Sequence, residues 1–256
     1  VLDLASYLHM LGTESIDLSC SQVALRDDQA VGVALIARRG WTSRLAAMAV
    51  VPSARSMGVG GWLMSQLIEQ AQKRGERAMV LEAIEGNDPA IHLYRRSGFM
   101  TVRRLVSYSG SPAVGPAAGE ATCTETDLRE MARLVSAYGL PDLPWQISGE
   151  SLAHLGPPNV AYRLDGAYIA LSNPDADQIA VRSLLVLPEA RGRGRATQLL
   201  RAMYARYPHK TWRVPPLCPE EIGGLFEGLG FERDSLSQLQ MRIEWEDADG
   251  SVRRTV

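Results

Sequence analysis

The chain has 256 residues, of which 46% are hydrophobic and 22% charged, and its formal net charge is −2. This length allows two domains of ordinary size, and the composition is ordinary for a soluble globular protein. The near-neutral charge gives no support to nucleic-acid binding, and no apolar run is long enough to span a membrane. Three cysteines lie far apart without a CxxC pair, which argues against structural zinc and a disulfide framework and predicts a cytoplasmic protein.

Apolar periodicity and turn residues predict helices and strands along the first half of the chain. In chain order they are a helix at 2–11, strands at 21–25, 30–37 and 44–51, a helix at 60–74, a strand at 78–84, a helix at 89–97 and a strand at 99–108. The helix at 60–74 should bury Trp62, Leu63, Leu67 and Ile68.

The second half has a similar predicted order. It comprises a strand at 120–124, a helix at 127–138, strands at 160–164, 167–171 and 178–187, a helix at 195–207, a weak strand at 211–214, a helix at 220–229 and a strand at 236–245. Only this half has a strand before its first helix. We therefore expect the corresponding first strand of the other half to be missing from the numbering, ahead of Val1.

An internal repeat explains this similarity. Six residues recur 136 positions later: Val50, Pro52, Arg55, Gly58, Gly60 and Leu63 match Val186, Pro188, Arg191, Gly194, Ala196 and Leu199. The dipeptide Gly98-Phe99 recurs 132 positions later as Gly230-Phe231. A stretch rich in Gly, Pro, Ala and Ser separates the halves. The repeat predicts a domain at 1–110, a linker at 111–118 and a second domain at 119–256.

A glycine-rich turn between a strand and a helix presents free backbone amides to an anion, and the helix dipole adds partial positive charge. The run Arg55–Gly60 has this composition, and diphosphate is the natural ligand. Neither a Walker loop nor a GxGxxG fingerprint is present. The pattern that fits is RxxGxG/A after a strand that ends in VxP, and it occurs again at Arg191–Ala196.

With these two motifs, each followed by Gly-Phe, the chain resembles a tandem protein of the GNAT acetyltransferase superfamily over nearly its whole length. The resemblance implies a mixed α/β fold: two GNAT domains, each with a twisted central sheet that splays at the coenzyme A site. It implies acetyl-CoA as cofactor and no metal. The implied contacts to the pantetheine arm are Met48, Ala49 and Val50, and those to the pyrophosphate are Arg55, Ser56, Met57, Gly58, Val59, Gly60 and Gly61.

The segment 81–99 resembles the catalytic segment of GNAT enzymes, notably those that acetylate N-terminal alanine of ribosomal proteins. By this resemblance Tyr94 faces the thioester sulfur, Glu82 takes the amine proton, and Asn87 contacts the cofactor arm. A protonated phenol can donate to a thiolate, and the amide of Val50 would stabilise the oxyanion. Alternatives stay open: Tyr94 as a core residue, Glu82 as an ion-paired carboxylate, and Glu85 as the base. His92 is expected on the surface.

The second half departs from this pattern. At the positions that match Glu82, Asn87 and Tyr94 stand Val214, Pro219 and Phe226, so this half is predicted to be a degenerate GNAT domain. Three prolines exclude a regular central strand past Val214. A second CoA loop would comprise Arg191, Gly192, Arg193, Gly194, Arg195 and Ala196. A solvated basic turn is an equal alternative.

The resulting functional hypothesis is an N-acetyltransferase whose first domain transfers an acetyl group directly to a primary amine, without an acyl-enzyme. The acceptor would be a small amine or a peptide N-terminus, with no nucleic-acid or membrane partner. The alternative from a different class is a non-catalytic acyl-CoA-binding sensor or interaction module on the same fold. The chain is expected to be a monomer or a homodimer.

Overall fold

A computed structural model describes residues 14–111 and 123–245. The predicted helix at 2–11 lies outside the described residues, as do nearly all of the predicted linker and most of the predicted strand at 120–124. In the described parts of the chain, no helix is long and apolar enough to cross a membrane.

The elements of the first half follow the predicted order. They are β1 (Gln22–Arg26), β2 (Gln29–Arg39), β3 (Thr42–Val50), α1 (Val59–Lys73), β4 (Ala78–Ile84), α2 (Asp88–Arg96) and β5 (Met100–Gly110). Strands β1, β2 and β3 form an antiparallel meander, and β4 joins β3 in parallel. A parallel neighbour requires a crossover connection, which α1 provides. The sheet is therefore mixed, as the resemblance implied.

Helix α1 buries one stripe of side chains against the sheet. The buried residues are Leu63, Met64, Leu67 and Ala71. The predicted burial of Trp62 is wrong, because its side chain is 53% exposed. Positions 63, 67 and 71 repeat every four residues and define the inner face, so Trp62 lies about 100° around the helix from it.

The second half adds its own helices and strands. They are β6 (Thr124–Thr126), α3 (Leu128–Tyr138), α4 (Gly149–Ala153), β7 (Val160–Leu164), β8 (Ala167–Leu171), β9 (Gln178–Val186), α5 (Arg195–Arg206), β10 (Thr211–Pro219), α6 (Gly224–Glu227) and β11 (Glu232–Glu244). Strands β6 to β9 are antiparallel neighbours in chain order, and β10 joins β9 in parallel. The connection through α5 thus repeats the one through α1.

Prolines and glycines change two predicted elements of the second half. Strand β10 pairs regularly with β5 through Val214, then shifts register before Cys218 and continues to Pro219. The prolines therefore interrupt regular pairing where expected but do not end the strand. The predicted helix at 220–229 is a 3-10 turn followed by the four-residue α6, because Gly223 and Gly224 interrupt it.

The chain divides into two compact units that differ from the predicted domain boundaries. The first contains the described residues up to Arg103 together with those from Leu239 onward, and the second contains Arg104–Gln238. In the first unit Met241 of β11 is fully buried within the core cluster that also contains Met64, Leu67 and Met79. In the second unit the Ser107 hydroxyl of β5 donates to the carbonyl of Leu236. Strands β5 and β11 thus each contribute residues to both units.

Candidate active site

Strands β3 and β4 pair over only part of their length. Their parallel register runs from Thr42 opposite Ala78 to Leu45 opposite Leu81, although β3 continues to Val50. On its other side β3 stays paired with β2 except at Ala46, which the register skips. This bulge at Ala46 directly follows the last residue paired with β4, and beyond it β3 has a gap on that side.

The backbone of β3 turns hydrogen-bonding groups into this gap. The amide of Val51 donates to the carbonyl of Val31 at 3.0 Å, so it points toward β2. Successive amides along a strand alternate in direction, so the amides and carbonyls of Val50 and Met48 point away from β2. An extended polar chain lying beside β3 could pair with these groups.

The loop after β3 leaves a set of amides without backbone partners. It begins with a 3-10 turn at Pro52–Ala54 and enters α1 through Gly58, whose φ of 85° is the left-handed conformation that glycine favours. Among the described residues, no backbone carbonyl accepts from the amides of Ser56–Gly61, and the first intrahelical donor is Trp62, at 2.9 Å from the carbonyl of Gly58. These donors, at the positive end of the α1 dipole, suit a pyrophosphate.

Two further contacts fix the loop. The Nε of Arg55 donates to the carbonyl of Val50 at 3.2 Å, which holds the guanidinium at the end of β3. A Cβ added at Gly60 would lie 3.3 Å from Cδ2 of Leu93, so α2 packs closely on the first turn of α1. Gly58 and Gly60 therefore serve different purposes, one for its backbone conformation and the other for close packing.

The predicted cofactor contact Asn87 immediately precedes helix α2, and the predicted acid Tyr94 lies within it. Asn87 is the exposed residue before the helix, and its carbonyl accepts from the amides of Ala90 and Ile91 at 3.0 Å. Tyr94 is half-buried against the core of the first unit, and its ring centroid lies 6.2 Å from that of Phe99. Burial raises the pKa of the Tyr94 phenol. The phenol therefore keeps its proton at neutral pH and can act as a donor.

Glu82, the predicted base, belongs to a buried ion cluster. The Nε of Arg44 lies 2.8 Å from Oε2 of Glu82, and a second nitrogen of the same guanidinium is also 2.8 Å from that oxygen. Another nitrogen of Arg44 lies 2.7 Å from Oε2 of Glu14. The side chains of Arg44 and Glu82 are 5% and 3% exposed. Burial lowers the pKa of Arg44, but the carboxylates of Glu82 and Glu14 more than offset this, so its pKa is raised.

Sequence reasoning missed Arg44 as the partner of Glu82. The only signal was an arginine inside the otherwise apolar strand β3, together with a glutamate inside the apolar strand β4. Both residues are expected to be exposed unless they are paired. The two other side chains weighed at this site, Glu85 and His92, are exposed.

The second unit repeats the geometry of the first loop. Its strands β9 and β10 pair in parallel only from Gln178 to Ala180, and the register of β9 with β8 skips Arg182. The Nε of Arg191 donates to the carbonyl of Val186 at 3.1 Å, as Arg55 does to Val50. Gly194 is left-handed, with φ 69°, and accepts from the amide of Gln198 at 3.0 Å. The sequence repeat is thus also a structural repeat, and it includes the bulge, which lies at Ala46 in the first unit and at Arg182 in the second.

The arginines of the second loop differ in their contacts. A terminal nitrogen of Arg191 donates to the carbonyl of Tyr138 at 2.7 Å, and Arg195 pairs with Asp165 at 3.0 Å. Arg193 is exposed. At the position that matches Tyr94, Phe226 is buried and stacks on Tyr108 with ring centroids 5.7 Å apart. The loop geometry thus occurs in both units, whereas the hydroxyl of Tyr94 has no counterpart at Phe226.

Comparisons with known proteins agree with this geometry. The model of the acetyltransferase (GNAT) family matches residues 5–99. Streptothricin acetyltransferase from Streptomyces lavendulae is 37% identical over 75 residues, which is 28% of this chain and 40% of that protein. The chain therefore matches less than half of the length of this curated relative.

Solved structures extend the likeness in fold to both units. A GCN5-related N-acetyltransferase from Sphaerobacter thermophilus has a TM-score of 0.65 at 18% identity, covering 93% of this chain and 85% of that one. A tandem GNAT protein from the clavulanic acid biosynthesis pathway has a TM-score of 0.57 at 16% identity, covering 92% and 86%. The family match, together with this coverage, identifies a GNAT-family acetyltransferase domain in the first part of a chain that has the fold of tandem GNAT proteins.

Proposed function

We propose that the protein is an acetyl-CoA-dependent N-acetyltransferase and that its first unit carries out the reaction. The observation that carries this proposal is the combination, in one unit, of an opened strand pair, a loop of unpartnered amides and a half-buried tyrosine. Acyl transfer is also the activity that the name of the streptothricin relative states for that protein.

The residues fit the shape and charge of coenzyme A. The unpartnered amides of Ser56–Gly61 would hold its pyrophosphate, and the gap beside Met48, Ala49 and Val50 would take the pantetheine arm as an added strand. Asn87, exposed at the start of α2, would contact the same arm. Acetyl-CoA, as substrate, supplies an acetyl thioester whose C–S bond is exchanged for a C–N bond.

The reaction also needs a proton removed from the amine and a proton delivered to the sulfur, and side chains of the first unit could serve both transfers. Tyr94 keeps its proton at neutral pH and would deliver it to the departing sulfur. Glu82, paired with Arg44, would accept the proton of the amine or hold the ammonium before it is lost. The amide of Val50, which points away from β2, would donate to the developing oxyanion. Direct attack by the amine needs no nucleophile from the protein.

The test is a screen of primary amines with acetyl-CoA, in which release of free thiol is measured. The panel would contain amino acids, aminoglycosides, peptides with a free N-terminus and streptothricin. Amine-dependent thiol release that Tyr94→Phe reduces is the expected result. No release with any amine, despite binding of acetyl-CoA, would favour the alternative function of a non-catalytic acyl-CoA sensor.

A further inference from the structure

The second unit contains a cavity of about 360 Å³ where its strands diverge. Its walls include β9 from Val181 to Val186 and β10 from Val214 to Pro219, both beyond the last parallel pair at Ala180 and Arg213. Arg191 and Ala196 of the second loop also line it. This volume is within the range of small-molecule sites. The cavity therefore lies where the first unit has its own gap beside β3.

The walls of this cavity are mostly apolar, although Arg182, Ser183 and Arg191 also line it. Side chains from several elements contribute, among them Leu140, Leu143, Ile147, Leu184, Leu217 and Leu225. None of the described residues that line it is an aspartate, a glutamate or a histidine. Phe226 lines it at the position that Tyr94 has in the first unit. The described lining thus lacks a carboxylate or imidazole base, and its one phenol, Tyr138, lies at the end of α3 and not at the position that matches Tyr94.

The loop beside the cavity keeps the features that suit a diphosphate. Gly192 and Gly194 have φ values of 73° and 69°. Among the residues that the structure describes, no backbone carbonyl accepts from the amides between Gly192 and Thr197, and the first intrahelical donor is Gln198. Val186 matches Val50, and the amide of Leu187 donates to the carbonyl of Gly166 at 2.9 Å, so the amide of Val186 points away from β8 and toward the gap.

We propose that the second unit binds a coenzyme A thioester with an apolar acyl chain of medium length and retains it without turnover. The loop amides take the diphosphate, and the cavity beside β9 takes the pantetheine arm together with the acyl chain, which lies against its apolar walls. Such a ligand would make the second unit a site that responds to acyl-CoA, separate from acetyl transfer in the first unit. The coenzyme assignment uses the same loop argument as the proposed function, whereas the acyl preference depends on this cavity alone.

The test uses the full chain with its first loop blocked by Gly58→Glu, so that calorimetry measures the second site. Octanoyl-CoA should bind with a stoichiometry of one and at least about tenfold more tightly than acetyl-CoA, since each buried methylene contributes roughly fourfold. Ala196→Glu in this background should abolish binding by adding a carboxylate to the cavity wall. Ala196→Gln, of nearly equal size, should retain it.

Several outcomes would overturn the proposal. They are equal affinity for the two thioesters, equal binding of free octanoate, and thiol release by the blocked chain at the rate of the unblocked one. If Gly58→Glu does not fold, Ala196→Glu can be made in the chain that keeps Gly58. This single variant should bind one fewer octanoyl-CoA per chain than the unmodified protein. Acetyl-CoA binding and amine acetylation by the unmodified chain, without any second site, would leave the proposed function intact and refute this inference. Loss of all binding would refute both.

Discussion

Arg44 and Glu82 form a buried ion pair in which two guanidinium nitrogens lie 2.8 Å from one carboxylate oxygen. The pair joins neighbouring strands just where β3 and β4 begin to separate. Neither charge is accessible enough to be satisfied by water, so each needs a charged partner within the protein, and Arg44 has Glu14 as well as Glu82. A pair in this position couples the stability of the first unit to the geometry of its site.

Arg44→Met should lower the free energy of unfolding by about 3–5 kcal/mol, because it leaves the Glu82 carboxylate buried without its cation. Adding Glu82→Gln should recover part of this loss by removing the charge. Denaturant unfolding measures both effects. Lys73→Met is the control: its exposed pair with Glu69 on α1 is screened by water, so the free energy of unfolding should change far less than for Arg44→Met. Equal losses for Arg44 and Lys73 would show that the buried pair has no special role.

Glu82→Gln on its own tests the proton acceptor. If Glu82 accepts the amine proton, the variant should lose about 10²-fold or more in kcat while its affinity for acetyl-CoA stays the same. The pH dependence of kcat should also change, which a purely structural loss would not cause. Glu85→Gln is the matched control, because Glu85 is exposed after the same strand. If Glu85→Gln lowers kcat more than Glu82→Gln does, Glu85 and not Glu82 is the proton acceptor.

Tyr94→Phe removes only a hydroxyl and should lower kcat by about 10²-fold with little change in acetyl-CoA affinity. Burial raises the pKa of this phenol, so the protonated donor is the form present up to pH 10 and is lost only as the pH rises further. Activity of the unmodified enzyme should therefore show no decline due to Tyr94 below about pH 9, one unit under the ordinary pKa of a tyrosine. A decline near pH 8 that Tyr94→Phe eliminates would contradict this assignment.

Gly58→Glu should abolish the rise in melting temperature that acetyl-CoA produces through the first unit, because it places a carboxylate among the amides proposed for the pyrophosphate. The residue has a positive φ of 85°, so the substitution also strains the backbone. Gly40→Glu is the matched control. Gly40 has a φ of 54° and, like Gly58, has no atom within 4 Å of an added Cβ. A loss of the acetyl-CoA response in both variants would point to strain rather than to the loop.

Local pattern predicted most of the fold. The strands at 78–84, 160–164 and 167–171 begin and end as expected, because short apolar runs between turns specify buried strands. The paired loops were predictable because left-handed turns and close helix contacts demand glycine at fixed spacing. The resemblance supplied Tyr94 and Glu82.

Pairing between distant segments could not be predicted in this way. The partner of Glu82 depends on which strand lies beside β4, and a single sequence does not contain that information. The same holds for the last strand: its pattern predicts a strand at 236–245 but not that its end packs in the first unit. The cavity in the second unit lies where β9 and β10 diverge, close to the bulge at Arg182, and no residue type signals that bulge.

The packing of β11 gives a direct test of the unit boundaries. A chain that ends at Gln238 loses the segment containing Met241, which is fully buried in the core of the first unit, and Ile243, whose Cδ1 would lie 2.9 Å from a Cβ at Gly98. We expect the first unit to lose protection in hydrogen exchange while α5 and β8 of the second unit keep theirs, because removing a buried Met alone costs about 2–5 kcal/mol. A chain that ends at Trp245 keeps β11 whole and serves as the comparison. If the two chains exchange alike in β2, β3 and β4, the first unit is complete without β11, and a boundary near residue 110 is the better description.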